Sequence, residues 1–308
     1  KQVKEGALDI SAPSMPAASS LVPGIEIASA PFLWRDWSEA ETIIRGPAFD
    51  PLFDELRDKH AIVPLSRVWY WGWRDLTTLD REVRKPDDLK GLKIRVPESP
   101  VWVEMIRAYG AAPTPIPFGE VYTALQQRTV DGQENPIPVI LAAKFSQVQK
   151  HLSLTNHVYS PSLLLTSPRF MNKLSDADKK IFYEAAKKCA AAQRARVNED
   201  ENNGIAQLEK EGVSVVRKVD GQAFRDALRD VYVSYAKEFG ADKIREENQQ
   251  TGKIPHGCNS CYEKACNGRR GHTRSSSNGL YIKDQLLYNQ TGPKMITFKL
   301  DFICNLAC

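Results

Sequence analysis

Apolar residues between positions 92 and 134 recur first with the period of a strand and then with the period of a helix. The pattern predicts strands at 92–96, 112–117 and 129–134, separated by helices at 99–109 and 119–128. Strands that alternate with helices in so short a segment are typical of an α/β fold with a mostly parallel sheet.

The flanking sequence extends this prediction in both directions. The predicted helices are 36–60, interrupted at Gly46-Pro47, a long one at about 176–211 that a capping box of Ser175 and Asp178 begins, and further ones between 220 and 248. The predicted strands are 7–12, the aromatic-rich run 62–73, a second sheet segment over 153–166, and 213–217.

Composition excludes several classes of protein. A chain of 308 residues with 42% hydrophobic and 26% charged residues is long enough for two domains and too apolar to be disordered throughout. No apolar run approaches the length of a membrane span, and no basic segment followed by an apolar one marks a signal peptide. Because the chain starts at Lys1 rather than Met, we expect a mature form or a fragment. The glycine-rich dinucleotide and phosphate loops and the serine hydrolase motif Gly-x-Ser-x-Gly are missing.

Charge and cysteine content change near residue 250. Residues 251–308 hold eight lysines and arginines against three acidic residues, whereas residues 1–250 have a net charge of −1. Five of the six cysteines also fall after residue 250. The sequence therefore predicts two parts, an α/β region at 1–250 and an unrelated, irregular, Cys-rich basic tail at 251–308.

Arg95 is the first candidate for a functional residue. It alternates with Ile94 and Val96 on a strand otherwise fit for burial, and a buried guanidinium needs an anionic or dipolar partner. Either a carboxylate of the protein or a ligand supplies that partner. Asn135, just before Pro136, is a second candidate, although asparagine at such a position is also a common turn residue.

Residues 1 to about 248 resemble the solute-binding proteins of TRAP (tripartite ATP-independent periplasmic) transporters, of the DctP type. The resemblance is carried by long motifs in a fixed order. They are Lys90-Gly91-Leu92-Lys93-Ile94-Arg95-Val96-Pro97, Pro113-Thr114-Pro115, Phe118-Gly119-Glu120-Val121-Tyr122-Thr123-Ala124-Leu125-Gln126, Val130-Asp131-Gly132-Gln133-Glu134-Asn135-Pro136, Lys144-Phe145, Val148-Gln149-Lys150 and Leu154-Thr155-Asn156-His157.

The resemblance implies a bilobed periplasmic-binding-protein fold (type II-like), with mixed sheets and a long helix that spans both lobes. The first strand, first helix and second strand of the family pattern are missing before Lys1, so the first lobe would be incomplete. Such a protein captures a small carboxylate in the periplasm of a Gram-negative bacterium and delivers it to the small and large TRAP membrane subunits. It would be a monomeric receptor rather than an enzyme, with no cofactor in the binding domain and no nucleic-acid partner.

Four positions match site residues of that family. Arg95 matches the arginine that binds the ligand carboxylate through two donors, and Asn135 matches the asparagine that hydrogen-bonds the same group. Arg74 matches a second site arginine, with one residue more than the usual spacing between it and Arg95. Phe118 matches an aromatic residue that lines the pocket.

Further candidates each have a simpler structural explanation. Trp73, with Trp71, could stack on a sugar ring or belong to the core, and Tyr159 could reach the cleft or be buried. Glu98 could accept hydrogen bonds from ligand hydroxyls or be a solvated strand end. Glu98-Ser99 after Val96-Pro97, together with Trp71 and Trp73, favour a sugar acid such as a hexuronate over a C4-dicarboxylate. Cys189 lies on an apolar stripe of the long helix and is predicted to be a buried thiol.

The tail permits three interpretations. Cys258, Cys261 and Cys266 have metal-site spacing and could bind zinc. The last residues resemble the start of the iron–sulfur motif of radical S-adenosylmethionine (SAM) enzymes, but the chain ends after Cys304 and Cys308. The tail is thus a chimeric junction of two truncated genes, a metal-binding appendage or a disordered extension. The rival functional hypotheses are a fragment of a radical SAM enzyme fused to an α/β module, and an α/β module without a ligand.

Overall fold

Two long strands, each of 16 residues, run antiparallel to each other and form the centre of the sheet. In the computed structural model, which describes residues 2–232, hydrogen bonds join all seven described strands into one sheet. The strands are β1 (Ile10–Ser11), β2 (Val63–Thr78), β3 (Lys93–Val96), β4 (Ala112–Pro115), β5 (Gly132–Pro136), β6 (His151–Thr166) and β7 (Ser214–Val216).

The sheet is mixed, with its parallel pairs at two places. Its order is β1-β6-β2-β5-β3-β4, and β7 pairs with β6. Strand β3 lies parallel to both β4 and β5, which confirms the α/β pattern predicted for residues 92–134. Strands β2 and β5 are antiparallel, so β2 connects this parallel segment to β6. The predicted second sheet segment, 153–166, therefore belongs to the same hydrogen-bonded sheet.

Ten α-helices surround the sheet in the described part of the chain. They are α1 (Gln2–Glu5), α2 (Met15–Ser19), α3 (Trp37–Arg45), α4 (Asp50–His60), α5 (Pro100–Ala108), α6 (Val121–Gln126), α7 (Ile137–Ala142), α8 (Pro168–Met171), α9 (Asp176–Lys210) and α10 (Gly221–Ala227). Short 3-10 helices lie at Pro23–Ser29, Pro47–Phe49, Pro86–Leu89, Phe118–Glu120 and Phe145–Gln147. No helix among residues 2–232 combines the length and the apolarity that a membrane span needs.

Helix α9 confirms the predicted long helix and its capping residue. The Ser175 hydroxyl accepts a hydrogen bond from the Asp178 amide, as a helix N-cap does. The prediction for Cys189 is wrong, because this thiol is exposed. The buried stripe of the helix consists instead of Ala186, Ala190, Val197, Gly204 and Leu208. Neighbouring positions on a helix are about 100° apart, so Cys189 lies outside the buried stripe although Ala190 belongs to it.

Strand β2 bends where its pairing with β6 shifts, between Tyr70 and Trp73. Gly72 has a φ of +106° at this bulge, a conformation that glycine adopts with little strain. Side chains of α9 then replace the missing strand partner: Gln193 accepts a hydrogen bond from the Tyr70 amide, and Glu201 accepts one from the Trp73 amide. The bulge is thus closed by the helix rather than by the neighbouring strand.

The chain divides into two compact units, Lys1–Leu228 and Arg229–Cys308. All the helices and strands named above lie in the first unit. Apart from its first four residues, the second unit lies outside the described part of the chain, together with the predicted helical residues up to 248 and the Cys-rich tail. One buried cluster of the first unit packs α6 and α7 against β6 through Val121, Leu125, Ile140, Phe145 and Leu152.

Candidate ligand-binding site

The two principal candidate residues lie at the same end of two adjacent parallel strands. Arg95 is the last residue but one of β3, and Asn135 is the last residue but one of β5. The chain leaves β3 toward β4 and returns to the other side of β3 as β5, so the strand order reverses between them. Ligands of α/β proteins bind outside the carboxyl ends of strands at such a reversal. The topology therefore brings Arg95 and Asn135 to a favourable place for a small ligand.

Arg95 is a buried cation without a carboxylate partner. Its side chain is 3% exposed, and its Nε and Nη2 atoms donate to the carbonyl oxygen of Ile116 at 2.9 and 2.6 Å. Within residues 2–232 no carboxylate forms an ion pair with it. Burial lowers the pKa of Arg95 to about 10, against the opposing influence of Glu134. The group remains a cation at neutral pH, and among the described residues its hydrogen bonds go only to the Ile116 carbonyl.

Asn135 belongs to a short chain of amide and hydroxyl groups. Its Nδ2 donates to Gln133 Oε1 at 2.6 Å, and Gln133 Nε2 donates to Thr77 Oγ1 at 2.8 Å. All three residues are buried. Because Asn135 Nδ2 donates to Gln133, the orientation of the Asn135 side chain is fixed before any ligand binds.

Arg74 has an acidic partner within the protein. Its Nε and Nη2 atoms both donate to the Glu134 carboxylate, and Nη2 also donates to the Glu134 carbonyl oxygen at 2.7 Å. Arg74 is 4% exposed and Glu134 is fully buried. The remaining nitrogen, Nη1, makes a weak contact of 3.4 Å with Ser160 Oγ. The guanidinium also lies over the ring of Trp102, 5.6 Å from its centroid.

Glu134 is a buried carboxylate that contacts both Arg74 and His157, and the sequence did not single it out. Burial alone would raise its pKa, but the charge and hydrogen bonds of Arg74, with those of His157, lower it to about 2. His157 Nε2 lies 3.3 Å from the carboxylate, and His157 Nδ1 lies 2.8 Å from Thr155 Oγ1. The carboxylate therefore remains ionised and keeps Arg74 in place.

The two arginines project from opposite faces of the sheet. Arg95 is paired with Gln133, so it shares a face with Gln133 and Asn135. Arg74 is paired with Pro136 and bonds to Glu134, whose side chains lie on the other face. A ligand would meet both only at the strand ends. The expectation that Arg74 and Arg95 bind one carboxylate together stays a prediction.

Phe118 and Glu98 flank Arg95. Phe118 follows Ile116, which holds Arg95, by two residues; its ring is 52% exposed and packs edge-on against Phe145. Glu98 is exposed and lies close enough for its charge to favour the charged form of Arg95. Their roles in ligand binding stay predictions.

Trp73 immediately precedes Arg74 on β2 and is paired with Tyr159 of β6. Tyr159 is buried between Tyr70 and Trp73, with ring centroids 5.8 and 5.6 Å away. Burial raises the pKa of Tyr159, and the nearby charges come from α3 and α9. Trp73 lines a separate open cavity of about 440 Å3, whose aromatic wall is formed by Phe32, Trp34 and Trp37. Tyr159 is thus packed between aromatic rings, and its role in ligand binding stays a prediction.

Asp75 is a further buried carboxylate that sequence patterns did not reveal. It is paired with Asn135 across the strands and accepts a hydrogen bond of 2.9 Å from the amide of Asn156. Asn156 has a φ of +44°, within a bulge of β6 where the register with β2 shifts. Burial raises the pKa of Asp75 to about 8. A neutral carboxyl group therefore secures the bulge that carries His157.

The described residues contain no group of His, Cys, Asp and Glu side chains that could hold a metal ion. The candidate metal ligands Cys258, Cys261, Cys266, Cys304 and Cys308 lie outside the described part of the chain. The three interpretations of the tail thus remain predictions.

Comparisons with known proteins give one consistent result. The family model of bacterial extracellular solute-binding proteins, family 7 (DctP), matches residues 1–238. A solute-binding protein of Verminephrobacter eiseniae is 41% identical over 230 residues, which cover 74% of this chain and 67% of that protein. The 2,3-diketo-L-gulonate-binding periplasmic protein YiaO of Escherichia coli is 38% identical over 249 residues, 79% of this chain and 74% of that protein.

A solved structure agrees with the sequence comparisons. A TRAP periplasmic solute-binding protein from Polaromonas sp. JS666, bound to D-erythronate, superposes with a TM-score of 0.74 at 47% identity and covers 80% of each chain. These matches span the α/β region that carries Arg74, Arg95 and Asn135. The rival hypothesis of a radical SAM enzyme gains no support from them. The chain belongs to the DctP family of bacterial extracellular solute-binding proteins, family 7.

Proposed function

We propose that this protein is a periplasmic receptor that captures a small organic acid and delivers it to the small and large membrane subunits of a TRAP transporter. The observation that carries the proposal is the state of Arg95, a buried guanidinium without a carboxylate partner among the described residues. Burying a cation without an anion is costly, and a ligand carboxylate would offset that cost.

Arg95 suits a carboxylate because of its geometry. A guanidinium presents parallel donors that match the two oxygens of a carboxylate, and each such charged hydrogen bond contributes roughly 1.5–3 kcal/mol. Asn135, fixed by Gln133, would donate to or accept from the same end of the ligand. Arg74 would act second, through Nη1, since Glu134 occupies its other donors.

A sugar acid is favoured over a C4-dicarboxylate. The relative at 38% identity is a 2,3-diketo-L-gulonate-binding protein, and the one at 47% identity was solved with bound D-erythronate. Both ligands are acids that carry several hydroxyl groups. Glu98, whose charge acts on Arg95, would accept hydrogen bonds from ligand hydroxyls. Phe118, which is half exposed, would cover an apolar face of the ligand. The proposed role involves binding and release only, so no residue is assigned to catalysis.

Ligand-induced stabilisation of the full 308-residue chain tests the proposal. The panel contains D-erythronate, D-glucuronate, succinate, pyruvate and N-acetylneuraminate. A ligand at 100 times its Kd should stabilise the fold by about 2.7 kcal/mol, a shift in Tm of a few degrees. Arg95→Ala should abolish the shift. Lys93→Ala is the matched control, since Lys93 is an exposed cation on the same strand.

Two results would contradict the proposal. A folded protein whose Tm responds to no acid would exclude the receptor role as stated, and a response that Arg95→Ala retains would place the carboxylate elsewhere. Tighter binding of succinate than of D-glucuronate and D-erythronate, measured by isothermal titration, would overturn the preference for sugar acids.

The Cys-rich tail is a separate proposal with its own measurement. Its spacing Cys258-x2-Cys261-x4-Cys266 could hold zinc or an iron–sulfur cluster. Elemental analysis of the dialysed full chain tests this. Stoichiometric zinc or iron that Cys258→Ser removes would support a metal site, and metal-free protein would exclude one.

A further inference from the structure

Helix α5 begins just after β3 with a serine whose hydroxyl has no partner. Ser99 is the N-cap of the nine-residue helix and is 2% exposed. An N-cap serine normally accepts a hydrogen bond from an amide of the first turn, yet Ser99 makes no such bond. Its Oγ has no hydrogen-bond partner within residues 2–232. Four other N-cap side chains in residues 2–232 do make this bond: those of Asp36, Ser167, Ser175 and Asp220.

A second unpartnered polar group lies on the same helical turn. Trp102 is 1% exposed, and its Nε1 has no hydrogen-bond partner in the described part of the chain. Ser99 is the N-cap and Trp102 the third residue of the helix, two positions whose side chains approach each other in a capping box. The Trp102 ring lies against the Arg74 guanidinium, with 5.6 Å from Cζ to the ring centroid. The first turn of α5 therefore presents a hydroxyl and an indole N–H beside a site arginine.

These two groups also lie at the ligand end of the sheet. Ser99 follows Val96, the last residue of β3, by three positions, and Arg95 immediately precedes Val96. Buried polar groups without partners destabilise a folded protein and are therefore uncommon. Two of them on one turn, next to the strand ends where a ligand is expected, indicate a partner that arrives from outside.

We propose that Ser99 Oγ and Trp102 Nε1 together bind one hydroxyl group of the sugar acid. The inference rests on the proposed function and deepens it by naming the residues that select for hydroxylated acids. The indole N–H only donates, whereas the serine hydroxyl both donates and accepts. A ligand hydroxyl can accept from Trp102 and donate to Ser99, so that one group satisfies both.

The arrangement explains selectivity. A methylene group at this position could form neither hydrogen bond, and both protein groups would stay buried and unpartnered in the complex. Sites built to bind a substrate hydroxyl reject analogues that lack it for this reason. A ligand carboxylate bound at Arg95 would thus be common to all acids, and the pair on α5 would distinguish among them.

Isothermal titration and thermal unfolding of the full 308-residue chain test the proposal. D-Erythronate and D-glucuronate are the hydroxylated ligands, and succinate is the acid without hydroxyls. Ser99→Ala and Trp102→Phe should each raise the Kd of the better sugar acid about 10-fold, because one buried hydrogen bond is lost. Neither change should alter the heat of titration with succinate. The Tm of ligand-free Ser99→Ala should equal or exceed that of the wild type, since an unpartnered buried hydroxyl is removed.

Ser167→Ala is the matched control. Ser167 is also a buried N-cap serine, but its Oγ accepts a hydrogen bond of 3.3 Å from the Phe170 amide. This variant should lower the Tm and leave the Kd of the sugar acid unchanged. If Ser99→Ala behaves in the same way, the hydroxyl is a structural cap and the proposal is overturned.

The controls separate failure of this inference from failure of the proposed function. If the wild type binds no acid, both are overturned. If the wild type binds a sugar acid and Arg95→Ala does not, while Ser99→Ala and Trp102→Phe bind it as tightly as the wild type, only the assignment of Ser99 and Trp102 is wrong.

Discussion

Arg74 and Glu134 form a buried ion pair in which two guanidinium nitrogens bind one carboxylate, whereas Arg95 has only the carbonyl oxygen of Ile116. Both arginines are buried strand residues, yet their electrostatic surroundings differ. Arg74 is paired with a carboxylate of the protein, whereas Arg95 has no such partner among the described residues.

Replacing each arginine by alanine should therefore affect different properties. Arg95→Ala should abolish binding of the acid and leave the fold intact, because no carboxylate of the described residues loses a partner. Arg74→Ala should only weaken binding, but it should lower the free energy of unfolding by about 3–5 kcal/mol, since Glu134 is left buried and unpaired. Urea denaturation and isothermal titration measure the two effects. Equal losses of affinity in both variants would contradict this ranking.

Acid should destabilise the protein through Glu134. The pKa of Glu134 is about 2 in the folded protein and 4.5 without perturbation, so its contribution to stability is present above about pH 4.5 and is lost as the pH falls toward 2. Thermal unfolding between pH 5 and pH 2 should show this loss in the wild type. Glu134→Gln should reduce the slope over that interval, and an unchanged slope would assign the acid sensitivity to other carboxylates.

Asp75 should make the folded protein less stable as the pH rises, whereas Glu134 does so as the pH falls. Burial raises its pKa from 3.8 to about 8, so the folded state holds a proton that the unfolded state releases. The stability contributed by this proton is present below about pH 3.8 and is lost as the pH rises toward 8, by up to about 1.4 kcal/mol per pH unit.

The variant Asp75→Asn isolates that effect. Asparagine keeps an oxygen that can accept the hydrogen bond from the Asn156 amide, but it cannot ionise. Its stability relative to the wild type should therefore increase from pH 5 to pH 8, as followed by urea denaturation at several pH values. A constant difference between the two proteins would show that Asp75 is ionised in the fold.

Gly72 should tolerate alanine less well than another glycine of positive φ. A Cβ at Gly72 would collide with the Glu201 carboxylate and approach Pro136 Cβ to 3.2 Å, whereas one at Gly91, with φ +80°, would meet nothing within 4 Å. Gly91→Ala should lose about 1–2 kcal/mol from backbone strain alone. Gly72→Ala should lose more, and comparable losses in chemical denaturation would mean that Glu201 moves aside freely.

Local periodicity was sufficient for the elements that run from β3 to β5. Strands 92–96 and 112–117 and helix 99–109 appear with ends shifted by one or two residues, because each has a clear apolar face and a proline or glycine at its boundary. Arg95 could be identified as an unusual cation from its alternation with Ile94 and Val96, without knowledge of its neighbours.

Features that depend on distant pairing could not be predicted in this way. Arg74 and Glu134 are 60 residues apart, and only the antiparallel register of β2 and β5 brings them together. The bulge at Asn156 and the burial of Asp75 depend in the same manner on the alignment of β2 with β6. The prediction for Cys189 fails because the packing of α9 against the rest of the fold, rather than local periodicity, decides that Ala186, Ala190, Val197, Gly204 and Leu208 form its buried stripe.

The seam between β3 and β5 is short. Only two register pairs, Ile94 with Gly132 and Arg95 with Gln133, join these strands, whereas five pairs join β5 to β2. Backbone amides of β3 and β4 should therefore exchange with solvent deuterium sooner than those at the centre of the sheet. An acid held by Arg95 on one side of the seam and Asn135 on the other would fasten the two strands together. Binding should slow amide exchange on both strands far more than at the distant end of β6. The exchange rates of β3 and β5 would therefore show whether the site holds a ligand.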